Sequence, residues 1–86
     1  MSLVRVKVLF FGMLKEIVGR SEEDVEVGEP ASLGSLFDRY AREFPRMAAM
    51  APSIVLARNR QFSDRSAAVT DGDEIAFLPP VSGGGW

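Results

Sequence analysis

The chain opens with alternating apolar and polar residues. From Leu3 to Phe11, Val4, Val6, Val8 and Phe10 fall on one side, and Arg5, Lys7, Leu9 and Phe11 fall on the other. A period of two predicts a strand lying half-buried on a sheet. Its second side begins charged and ends apolar. Gly12 interrupts the alternation, and Met13 to Val18 predict a short helical turn closed by Gly19, because glycine accepts the left-handed angles that end helices. Val25 and Val27, set among Asp24, Glu26 and Glu29, predict a second strand in a hairpin with the first. Its outer side is acidic, a common protection for a sheet edge.

Beyond Pro30-Ala31-Ser32 the period lengthens. Leu33, Leu36, Phe37, Tyr40 and Phe44 form one apolar stripe at helical spacing, with Ser32 placed to cap the helix. Gly34 costs about 1 kcal/mol relative to alanine inside a helix, a penalty the stripe outweighs. Pro45 ends the helix, since the residue before a proline avoids helical angles. Arg46 to Pro52 then reads as a loop. Ile54 to Ala57 is apolar throughout, as in a buried third strand; Arg58-Asn59-Arg60 reads as a turn and Gln61-Phe62-Ser63 as a weak partner strand. Asp71-Gly72-Asp73 is a strong turn signal. In the strand Glu74 to Leu78 that follows, Ile75 and Phe77 face one way and Ala76 and Leu78 the other. Pro79-Pro80 lacks the backbone donors to continue a ladder, and Val81 to Trp86 is expected to be a mobile tail.

One helix stripe against one sheet face makes a two-layer α+β domain. The last strand is apolar on both faces and so should be central, with the first beside it in parallel. This is the β-grasp arrangement, a mixed sheet packed on one main helix, with the domain over 1–80 and the tail over 81–86. Phe37 and Phe77 should meet in the core. Leu9, Phe11, Ala76 and Leu78 should share the opposite sheet face, beside the tail. That makes an apolar docking surface, unless Met13, Leu14 or the 46–52 segment covers part of it. Lys15, near the end of the first strand, could pair with an acidic partner residue or stay solvated.

Composition narrows the chemistry. A chain of 86 residues makes one domain, because two cores would each be too small to offset chain entropy. With 10 basic and 12 acidic residues, net charge −2, it shows no electrostatic footprint for nucleic acid. No apolar run approaches the ~20 residues of a membrane span, and Met1 to Phe11 reads as a strand with no signal peptide, so a cytoplasmic protein is expected. Cysteine and histidine are absent. That excludes disulfides, thiolate nucleophiles and thiolate metal sites, and removes the commonest general base. Glu22-Glu23-Asp24 are consecutive and do not converge on one ion, and Asp71 and Asp73 are explained by their turn. No metal and no bound cofactor are expected.

The segment Pro79-Pro80-Val81-Ser82-Gly83-Gly84 carries the remaining chemistry. Glycine has no Cβ, so a Gly-Gly tail can thread a channel too narrow for other residues. A glycine carboxylate is a poor electrophile until adenylated; it can then take up sulfide as a thiocarboxylate or join an amine. A plain flexible linker would have the same composition.

Val8-Leu9-Phe10-Phe11 with Lys15-Glu16-Ile17-Val18-Gly19, and Thr70 through Gly84, resemble the opening and closing motifs of the MoaD family, the ubiquitin-like small subunits of molybdopterin synthase in the MoaD/ThiS superfamily. The resemblance spans the domain, through the central helix and Asn59. It implies that Gly84, preceded by Gly83, is adenylated with ATP by a ubiquitin-activating-like enzyme of the MoeB type. A sulfur donor then converts it to a thiocarboxylate. The tail, with Pro79, Pro80, Val81 and Ser82, would insert into a large subunit of the MoaE type and give sulfur to cyclic pyranopterin monophosphate. Leu9, Phe11, Lys15, Ala76 and Leu78 would meet that partner. The resemblance also admits a carrier serving another pathway (a thiazole, an amino acid or a thio-metabolite), or a ubiquitin-like module that only binds. Family members end at Gly-Gly, whereas Gly85-Trp86 follow here. A JAMM-type protease that trims them, an artefact of cloning, and the cut end of a fusion with the large subunit each account for them. Trimming could expose Gly84 or Gly85; the resemblance favours Gly84.

Overall fold

The computed structural model describes residues 2–80. In chain order the elements are β1 (Leu3–Phe10), α1 (Met13–Val18), β2 (Glu22–Gly28), α2 (Leu33–Glu43), α3 (Pro45–Met50), a 3-10 turn (Ala51–Ser53), β3 (Val55–Arg58), β4 (Gln61–Ser63) and β5 (Glu74–Leu78). The expected tail over 81–86, with Val81, Ser82, Gly83 and Gly84, lies outside the described residues.

The sheet order is β2-β1-β5-β3-β4. As its two-sided apolar sequence requires, β5 is central. It runs parallel to β1, pairing Val8 with Ile75 and Phe10 with Phe77, and antiparallel to β3. β2 is an edge strand, antiparallel to β1 from Leu3↔Gly28 to Leu9↔Glu22. α1 interrupts the connection, so the pair is not closed by a tight turn. Arg5 and Lys7 meet Glu26 and Glu22 across this edge at 3.5 Å. These exposed pairs contribute little.

α2 begins where Ser32 and Ser35 cap each other: the Ser32 hydroxyl accepts from the Ser35 backbone N–H at 3.1 Å, and the Ser35 hydroxyl accepts from Ser32 N–H at 3.0 Å. Leu33, Leu36, Phe37 and Tyr40 are buried from α2, and Val4, Val6, Val8 and Phe10 from β1. Phe77 occupies the centre of the core. Its ring lies edge-on to Phe37 at 5.4 Å, to Tyr40 at 5.9 Å and to Phe10 at 6.0 Å. Burial pushes the Tyr40 phenol well above its ordinary range, and the Glu23 carboxylate that accepts its proton adds to the shift.

Two expectations need correction. The 46–52 segment is not a loop, since Pro45 both ends α2 and starts α3 as its first residue. A proline at that position loses no hydrogen bond, because the first N–H groups of a helix have no partner within it. Phe44 between the helices is extended, with φ −122 and ψ 95. The core is therefore not one stripe alone, because α3 adds fully buried Met47 and α1 adds Leu14 and Val18. Nor does the third strand start at Ile54 or lie fully buried. Ile54 N–H closes the 3-10 turn on Ala51 O, so β3 starts at Val55, which is 39% exposed, and extends to Arg58.

Candidate functional site

The outer face of the sheet is built by the residues that alternate with the core. Because pairing is in register, Leu9, Ala76, Ala57 and Phe62 form one row across four strands. Val55 and Leu78 pair one step further along. Alanine at the two middle positions leaves a depression of about 360 Å³ between larger side chains. Leu9, Phe11, Ala76 and Leu78 all line it, so the sequence-predicted set does assemble. Leu9, Ala76 and Leu78 are half-buried, and Phe11 is 45% exposed. Neither Met13 nor Leu14 lines it, and nor does the 46–52 segment; Leu14 is buried in the core on the other side.

Sequence reasoning missed the half of the depression formed by β3 and β4. Ala57 and Phe62 line it, and Phe62 is 79% exposed at the sheet edge. The available signal was the turn at Asn59 and Arg60. Both have positive φ, 51 and 69, as a two-residue hairpin turn requires. That turn length places Ala57 opposite Phe62. Arg60 and Glu74 form the polar rim, with Nε to Oε1 at 3.5 Å.

The same turn is fastened to the start of β5. Asn59 N–H donates to Glu74 O at 2.7 Å. The Asn59 side chain accepts from Glu74 N–H at 3.0 Å and donates to Asp73 Oδ1 at 3.0 Å. Asp73, only 7% exposed, also accepts from Thr70 N–H at 2.8 Å and from the Thr70 hydroxyl at 3.1 Å, with the Arg58 guanidinium 3.7 Å away. Burial pushes its carboxyl upward. The Thr70 and Asn59 hydrogen bonds and the Arg58 charge outweigh burial, and the carboxyl is held below its ordinary value. The Asp-Gly-Asp turn is therefore a tertiary anchor as well as a local bend.

At the opposite end of β5, the parallel pairing brings the ends of β1 and β5 together, with Phe11 N–H donating to Phe77 O at 3.3 Å. The chain passes through half-buried Pro79 to exposed Pro80 at this end, next to the apolar depression. Lys15 is exposed on α1 and makes no salt bridge among the described residues. An apolar depression next to Pro80, from which the sequence continues into its glycine-rich end, is a surface on which a partner can dock. Among the described residues no group of His, Cys, Asp and Glu is arranged to hold a metal ion. No helix there is long and apolar enough to cross a membrane.

Residues 8–84 match the ThiS family. The chain belongs to that family. It is 34% identical over 83 residues to the molybdopterin synthase sulfur carrier subunit of Mycobacterium tuberculosis, covering 95% of this chain and 100% of that protein. Family membership agrees with the MoaD-type motifs at both ends of the domain. Among solved structures, a chain of the complex of subunits 1 and 2 of molybdopterin-converting factor from Helicobacter pylori is similar, with 29% identity and TM-score 0.63, covering 94% of this chain and 100% of that one. SAMP1 from Haloferax volcanii is similar as well, with 28% identity and TM-score 0.75 over 93% of this chain and 99% of that one. The β-grasp, ubiquitin-like architecture of this family is the one described above.

Proposed function

We propose that this chain is the sulfur-carrier subunit of molybdopterin synthase. The observation that carries the reading is that the family match runs on to Gly84, in the sequence that continues from Pro80 next to the apolar depression. The Gly84 carboxylate attacks the α-phosphate of ATP, releasing pyrophosphate and leaving an acyl-adenylate. Sulfide-level sulfur from a donor displaces AMP to give the thiocarboxylate. The large subunit then receives the tail, the thiocarboxylate sulfur bonds to a carbon of cyclic pyranopterin monophosphate, and water hydrolyses the resulting thioester, leaving the sulfur on the product and returning the carboxylate; two donations complete a dithiolene.

ATP in this scheme belongs to the activating enzyme. The large subunit supplies the catalytic side chains, which suits a carrier without histidine or cysteine. Leu9, Phe11, Ala76 and Leu78 dock the partner, and Lys15 meets an acidic residue of it. Gly84 must be freed from Gly85-Trp86 before activation, work suited to a JAMM-type protease.

The test is ATP–pyrophosphate exchange with the cognate activating enzyme on three proteins: the chain through Trp86, the chain ending at Gly84, and the latter with Gly84→Ala. Exchange is expected for the chain ending at Gly84 and not for the chain through Trp86. For Gly84→Ala it falls sharply, because the added Cβ restricts the backbone and collides with a channel shaped for glycine. Equal exchange by all three would reject threading. No exchange by any would reject the carrier chemistry and leave a module that binds through its apolar face.

A further inference from the structure

Gly12, between β1 and α1, is held in a conformation that side chains avoid. Its φ is 55 and its ψ −133, and Leu14 N–H donates to Phe11 O at 3.1 Å across it. These are the marks of a type II′ turn, whose first central position is a glycine position. An independent observation concerns space. A Cβ built on Gly12 would lie 2.9 Å from Cγ of Pro79. That atom is part of a closed ring fixed to the backbone, so it cannot swing aside as the end of a long side chain would. Pro79 is also the first residue after β5, on the chain's course out of the sheet. Backbone freedom and absent bulk at Gly12 are thus both spent where the C-terminal segment departs.

We propose that Gly12 is a positioning residue for the carrier segment: by leaving room for the Pro79 ring, it sets the course on which the chain leaves the sheet beside the docking face. The inference rests on the sulfur-carrier reading. How well the activating enzyme holds the protein is set by the surface through which the two dock. The course of the chain at Pro79 sets how often the held protein presents its glycine carboxylate to the adenylate site. A side chain at position 12 therefore acts on turnover and spares binding. It does so through Pro79, touching neither ATP nor the reacting carboxylate.

The experiment measures kcat and KM for ATP–pyrophosphate exchange on the chain ending at Gly84, carrying Gly12→Ala, Pro79→Ala or both. Rates are normalised to the folded fraction from circular dichroism. Gly12→Ala is expected to lower kcat about tenfold, with KM within about twofold of the parent. Pro79→Ala, which introduces no backbone strain, is expected to lower kcat two- to threefold through loss of the ring that rests on Gly12. The double variant should recover to the Pro79→Ala rate while keeping a lowered Tm, because the alanine that replaces Gly12 retains its unfavourable angles after the collision is gone. That separation of rate from stability is what a merely structural role would not produce. The proposal is overturned if Gly12→Ala turns over like the parent or raises KM in step with its loss of kcat. It is also overturned if Pro79→Ala keeps the parent kcat, or if the double variant stays as slow as Gly12→Ala. Should Gly12→Ala not fold, Pro79→Ala still decides. Absence of exchange by the unmutated chain ending at Gly84 would be a failure of the carrier reading, separate from all of these.

Discussion

On β5, Ile75 and Phe77 are fully buried against the helices, whereas their neighbours Ala76 and Leu78 are half-buried on the other face. On β1 the same contrast runs between Val8 and Phe10 inside and Leu9 outside. One face has three aromatic rings, Phe10, Phe37 and Tyr40, set edge-on around Phe77. The other is apolar only toward the end of β5, has alanine at its centre, and has no helix over it among the described residues. An uncovered face of this kind, continuous with the exit of the chain, is costly to keep exposed unless something covers it in use. Stability should therefore depend on one face and association on the other, and substitutions one residue apart can test that division.

The largest effect belongs to the inner face. Phe77→Ala should cost about 3–5 kcal/mol, a large part of the roughly 4–13 kcal/mol expected for a domain of this size. Equilibrium urea denaturation measures it. A transition coincident with the parent's would mean that the aromatic cluster does not hold the helices to the sheet.

The outer face should respond in the opposite way. Leu78→Asp or Phe11→Asp should leave the urea midpoint within error. Affinity for the large subunit should fall by on the order of 3 kcal/mol, about two decades in Kd, since an unpaired carboxylate is buried in an apolar contact. Calorimetric titration reads both variants, and unchanged affinity for both would place the docking surface elsewhere. Phe62→Asp sharpens the comparison. If the partner covers the whole row to the β4 edge, the loss is about tenfold. If it covers only the end near Pro79, Phe62→Asp binds like the parent, as rim positions commonly do.

What could be read from the sequence follows from how far each signal extends. The alternation of β1 and the stripe of α2 persist over enough residues for the period to name the element, and β5 reads as central because both its faces are apolar. α3 was hidden because Pro45 has two meanings, stop and start, and six residues are too few to show a period. The β4 half of the outer depression was hidden for a similar reason: a three-residue strand gains its meaning only from the turn that sets its register. Asp73 was hidden by being explained too easily. A turn accounts for Asp-Gly-Asp locally, while its partner Asn59 lies 14 residues away. The role proposed for the last glycines rests on resemblance and glycine chemistry together, since composition alone does not separate a carrier end from a linker.

The smallest effect concerns the anchor at the start of β5, which belongs to neither face and should be the pH-sensitive part of the domain. Asp73→Asn keeps the shape but replaces one acceptor with a donor, facing donors from Thr70 and Asn59. The expected loss at neutral pH is about 1–2 kcal/mol. Its pH dependence has a fixed sign. The Asp73 carboxyl is held below its ordinary value of 3.8 in the folded protein, so the folded state binds its proton less readily than the unfolded chain does. The stabilisation is therefore complete above the unfolded value and is lost as pH falls through the folded one. The gap in urea midpoint between parent and Asp73→Asn should be full at pH 7 and pH 5 and should narrow at pH 3 and below, where the parent's carboxyl becomes neutral like the amide. Asp64, whose carboxyl Ser66 holds down by hydrogen bonds, is present in both proteins and cancels from the difference. If the gap is the same at pH 7 and below pH 3, the anchor works through shape and hydrogen-bond count, and the Asp73 charge contributes nothing to holding the Asn59 turn against β5.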